Sequence, residues 1–152
     1  MSYDHTHDRA AGRDHHVITE PAILELHDGP MLVPVLHRVV SAVAAQAGVD
    51  LDRLADLGLV ADILAAQVGR DPLDHRLRVE VAAEVGAVVL RVGPLAAGSA
   101  ARLRANCEVP AVGPVLERLA GDVRVEPAPD GEFLRITVGE GPRDRSTPSL
   151  AG

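Results

Sequence analysis

At 152 residues, with 47% hydrophobic and 24% charged side chains, the chain carries enough apolar material for one core of ordinary size and too little for two. Its net charge of −7, the absence of lysine, the scatter of fifteen arginines and the presence of only two aromatic rings, Tyr3 and Phe133, argue against a nucleic-acid partner, which would need a basic patch or a stacking platform. The lone cysteine, Cys107, excludes an internal disulfide and fits a reducing, cytoplasmic setting, and no apolar run is long enough for a signal peptide or a membrane span.

Residues 1–16 are polar and rich in Asp and His, and residues 140–152 are mostly Gly, Pro, Arg and Ser. Both read as disordered tails around a single domain at 17–139. His5, His7, His15 and His16 are too irregularly spaced to define a metal site and read as a solvated leader.

The first ordered segment, Ala22 to His27, reads as a strand ended by the turn Asp28-Gly29-Pro30. From Met31 to Ala47 apolar residues recur at helical spacing, with Pro34 in the first turn where proline is tolerated. Gly48 stops this helix, and Asp50 or Asp52 can cap a second one carrying Leu54, Leu57, Ala61, Leu64 and Val68 before Gly69. After a loop from Arg70 to His75, the valine-rich runs Leu77 to Ala82 and Ala87 to Val92 predict a hairpin, with Arg78, Glu80 and Arg91 on the face away from the core.

A Gly/Pro/Ala segment, Gly93 to Gly98, leads to a short helix over Ser99 to Asn106, and Pro110 to Ala120 reads as another, with Val112, Val115, Leu116 and Leu119 inward. Val123 and Val125, then Phe133, Leu134, Ile136 and Val138, form a closing hairpin about Pro129-Asp130-Gly131. The order β-α-α-β-β-α-α-β-β pairs strands and pairs helices, which a doubly wound parallel sheet would not do. It predicts a two-layer α/β sandwich, with helices on one face of a mixed, mostly antiparallel sheet.

Two segments carry a family resemblance. Val33-Pro-Val-Leu-His-Arg-Val-Val40, followed by Gly48 to Asp56 and Leu57 to Ala66, resembles the first two helices of the anti-sigma-factor serine kinases of the GHKL (histidine-kinase-like) ATPase superfamily. Val112 to Val125, then Gly131 to Val138, is similar to that family's last helix and final strands. The resemblance spans roughly residues 20 to 138 and implies the histidine-kinase-like ATPase fold, an ATP and Mg²⁺ site, and a partner such as a sigma factor or an anti-sigma antagonist.

In that family the second helix carries a Glu that serves as general base and, four residues later, an Asn that helps hold Mg²⁺. These positions fall on Asp62, a vestigial base shortened by one methylene, and Ala66, which offers no oxygen; Gln67 points about 100° away on a helix. The family's second motif, an Asp followed by spaced glycines, falls on Val92 to Gly98, where Gly93 replaces the acid and Pro94 removes a donor. Of the glycine-rich phosphate loop only Gly113 remains, between Val112 and Pro114. Gly93, Gly98 and Gly113 are therefore vestigial nucleotide-loop positions, and as turn and packing residues they need no ligand.

Three motifs failing together imply a regulatory protein that binds other proteins, with a possible homodimer among its forms, and no working nucleotide site. The alternative is an active ATP-dependent serine kinase with Asp62 as base and Mg-ATP bound; a stand-alone antagonist-type domain would alternate single strands with helices. No GxSxG, HExxH, CxxC or Walker loop occurs. Asp56 and Asp62 also read as members of a solvated helix face, and His37, beside the first apolar stripe, as a hydrogen-bonded boundary histidine.

Overall fold

The computed structural model describes residues 20–68 and 76–140. The expected leader, the loop at 70–75 with His75, the helix stop at Gly69 and the tail beyond 140 lie outside the described residues.

Strand β1 (Ala22–His27) is followed by helices α1 (Leu32–Ala47) and α2 (Leu51–Ala65), strands β2 (Arg76–Glu84) and β3 (Ala87–Leu95), and helix α3 (Ser99–Asn106). A two-residue ladder, β4 (Glu108–Val109) with β5 (Gly113–Pro114), then leads to α4 (Val115–Leu119), β6 (Asp122–Ala128) and β7 (Gly131–Gly139). The main sheet runs β1-β2-β3-β7-β6. Every neighbouring pair in it is antiparallel, so the expectation of a mixed sheet is corrected. The cause lies in the connections. Two antiparallel helices return the chain to the end where β1 stopped, so β2 must run back along it, and the other neighbours are closed by two-residue hairpins or by β7 inserting between β3 and β6.

Helix α1 starts without a side-chain cap and ends at Gly48, whose φ of 67° supplies the left-handed stop. In α2 the Asp50 carboxylate accepts the Arg53 N–H at 2.9 Å, satisfying one of the first-turn donors that the helix leaves open. Leu36, Val40 and Val43 from α1 and Leu57, Val60 and Leu64 from α2 meet Leu77, Val79, Val81, Leu90, Leu134 and Ile136 of the sheet in one core. Each fully buried leucine here is worth about 1.5–3 kcal/mol relative to exposure. Helix α1 packs on β1, β2 and β3, while α2 packs on α1, α4 and β7.

Two local expectations change. The helix expected over Pro110 to Ala120 shrinks to five residues, because Ala111 (φ 67°) and Gly113 (φ 85°) are left-handed and Pro110 and Pro114 have no N–H to give a helix. Val112 is accordingly exposed, and only Leu116 of the expected inward set is fully buried. Strand β3 does not stop at Val92 but continues through a bulge to Leu95, opposite Glu132.

Among the described residues, the second face of the sheet carries no helix. It carries a lattice of ion pairs: Arg91 reaches Glu80 (2.9 Å) and Glu126 (3.1 Å), and Arg135 reaches Glu84 (3.1 Å) and Glu126 (3.2 Å). Arg91 lies 4.1 Å above the Phe133 ring, in cation–π range. This canopy buries Ala87, Val89 and Phe133 outside the helix-side core.

Candidate functional site

Asp62 and Ala66 stand four residues apart on α2, on the stripe Asp52, Ala55, Leu59, Asp62 and Ala66 that faces away from the sheet and is exposed throughout. The opposite stripe, Leu57, Val60, Ala61 and Leu64, is core. Asp62 thus projects into solvent over the groove between α1 and α2. There His37 Nε2 meets Asp62 Oδ1 at 2.7 Å, with both side chains partly exposed. Gly58, one turn before Asp62, leaves room for the imidazole: a Cβ there would touch His37 Cε1 at 3.5 Å. Asp56 is held by Arg53, three residues earlier, at 3.3 Å. Gln67 turns back along its own helix to the Ile63 carbonyl.

Gly93 has a φ of 146°, and a Cβ on it would lie 2.7 Å from the Glu132 carbonyl oxygen and 2.9 Å from Phe133 Cδ1. The space where the resemblance expects an adenine-gripping acid is therefore filled by β7. Gly98 (φ 80°) is the left-handed residue immediately before α3. Just past it the Ala100 N–H donates to Glu132 Oε1 at 2.8 Å, so a carboxylate already sits where a helix start would attract a phosphate. Gly113 pairs with Val109 in the small ladder, where the Val112 N–H is taken by the Val109 carbonyl at 3.0 Å.

The residues present do not fit Mg-ATP. Asp62 is bonded to an imidazole, Ala66 has no ligating atom, and Glu132 places negative charge at the start of α3. Among the described residues, no three His, Cys, Asp or Glu side chains converge on a metal position, and no helix is long and apolar enough to cross a membrane. His37 was legible in the sequence as a bonded boundary histidine, but its partner depends on how α1 and α2 dock. Glu132 carried no local signal, since its contact with Ala100 spans 32 residues.

The flank of α1 beside β1 exposes Met31 and Val35, whereas Ile23 of β1 is exposed on the opposite face of the sheet. His37, expected as a hydrogen-bonded boundary histidine, turns its ring towards α2 and Asp62. No protein-family model matches the chain, and no curated protein matches it at a significant level.

Proposed function

We propose that the chain is a regulatory domain that acts by binding another protein, a divergent anti-sigma-factor-like regulator of the histidine-kinase-like type without nucleotide chemistry. The observation that supports this reading is the contact of β7 with the segments that the resemblance assigns to nucleotide: Glu132 and Phe133 fill the space beside Gly93, and the Glu132 carboxylate occupies the start of α3. The order of paired strands and paired helices supports the architecture, although the wholly antiparallel sheet departs from the mixed one that the family implies. A sigma factor or an anti-sigma antagonist is the partner class that the resemblance suggests, in a cytoplasm that suits the single Cys107.

Calorimetric titration with Mg-ATP tests the reading without any partner. No binding is expected below millimolar concentration, a level that corresponds to only about 4.1 kcal/mol. A micromolar dissociation constant, lost in Asp62→Ala, would restore the serine-kinase reading. Co-purification from the native host should recover a sigma factor or an antagonist protein.

A further inference from the structure

The main sheet has two edges, β1 and β6, and they are anchored differently. Strand β1 sinks Leu26 into the helix-side core. Strand β6 is, among the described residues, the one strand of this sheet without a buried side chain. On its helix side Val123 is half-buried against the core, but Val125 is 40% exposed. On its other face Asp122 pairs with Arg124 of the same strand, a contact that does not hold the strand to the sheet.

Beyond its main-chain ladder with β7, β6 is tied down by Glu126. The two carboxylate oxygens accept from Arg91 Nε of β3 at 3.1 Å and from Arg135 Nη1 of β7 at 3.2 Å, so one side chain reaches past the neighbouring strand to the next. Each arginine also has an acid that does not belong to β6: Arg91 meets Glu80 at 2.9 Å and Arg135 meets Glu84 at 3.1 Å. Loss of β6 therefore leaves neither guanidinium without a carboxylate and exposes little apolar surface. Both exits from the strand are exposed, Gly121 before it and Pro129 and Asp130 in the turn after it.

We infer that β6 is a detachable strand: it lifts from the sheet as a unit while β1, β2, β3, β7 and the two long helices stay folded, and Glu126 is the catch that holds it down. Lifting turns β7 into an edge. The Thr137 carbonyl accepts the N–H of Gly121 at 2.8 Å, so the main chain of Thr137 points towards β6. Alternate residues of a strand turn their main-chain groups to opposite neighbours. Phe133 and Arg135 therefore share the β6 side with Thr137, and Leu134 and Ile136 bond to β3. The lifted state bares an unpaired row at Phe133, Arg135 and Thr137, a template for another strand that the closed form hides.

Residue-resolved hydrogen exchange on the full chain tests this. Relative to their intrinsic rates, the Arg135 and Thr137 amides should exchange about tenfold or more faster than those of Leu134 and Ile136, and almost independently of low urea. Leu134 and Ile136 should follow the steep urea dependence of global unfolding. Glu126→Ala should speed Arg135 and Thr137 about tenfold. Val40→Ala, on the buried face of α1, weakens the closed and lifted forms alike and should speed Leu134 and Ile136 only. Equal rates and equal urea dependence for the four amides would mean that β6 leaves only when the whole chain unfolds, and would overturn the proposal. So would unchanged Arg135 and Thr137 exchange in Glu126→Ala, or acceleration of all four amides alike in Val40→Ala. The wild-type comparison decides even where a variant fails to fold. None of these outcomes bears on Mg-ATP binding, so the regulatory reading is tested apart.

Discussion

His37 and Asp62, 25 residues apart in the chain, are joined at 2.7 Å, so the bond fixes the middle of α1 against the last turns of α2 on the side away from the sheet. It clamps two helices whose buried faces are otherwise purely apolar. It also engages the carboxylate that the family resemblance singles out as a base.

Because both side chains are partly exposed, the pair should stabilise the fold only slightly. A double-mutant cycle with His37→Gln and Asp62→Asn, read by urea unfolding, should give a coupling of about 0.2–1 kcal/mol that shrinks with added salt. A coupling well above that range would mean that the pair does more than hold a surface.

Gly93 and Gly98 separate two reasons for glycine. At Gly93 both conformation and space forbid a side chain, and Gly93→Ala should cost about 2 kcal/mol or more, since β7 must shift to admit the methyl group. At Gly98 nothing lies within 4 Å of the added carbon, and Gly98→Ala should cost about 1 kcal/mol, the strain of a left-handed alanine. Thermal or urea melts of the two variants check the difference, and equal losses would contradict the packing argument.

Glu126 bonds both Arg91 and Arg135 on the open sheet face, whereas Asp122 on the same strand pairs, among the described residues, only with its more exposed neighbour Arg124. Glu126→Ala leaves two guanidinium groups short of a partner in a semi-buried lattice, where Arg135 Nε already has none among the described residues, and should cost about 1–3 kcal/mol. Asp122→Ala should stay within about 0.5 kcal/mol. Denaturant midpoints of the two variants give the comparison directly.

Much of the architecture could be read from spacing alone. The strand at Ala22–His27 and the helix at Ser99–Asn106 match their expected bounds, and Arg78, Glu80 and Arg91 do point away from the core. Where reading failed, the determinants were not local. The apolar spacing of Val112 to Leu119 suits a helix, but left-handed turns at Ala111 and Gly113 break it. Alternation could not tell which of Phe133 and Leu134 would meet the helices, because Arg91 makes a second buried place for a ring. The direction of β7 beside β3 depends on the whole path through α3 and α4. At the candidate site the solvent-facing position of Asp62 was legible from the helical spacing, but its partner His37 became visible only once α1 and α2 were docked.

The last carbonyl of α1, on Ala47, accepts the N–H of Gly86 at 3.1 Å, across the layers, from the tip of the β2–β3 hairpin. Helix ends normally fray, and exchange of a turn amide ordinarily reports only the turn. Here the Gly86 amide can be released to solvent only when the hairpin tip and the helix terminus separate. Its deuterium uptake is therefore a single-atom gauge of whether the helical layer is seated on the sheet, readable without a ligand or a label.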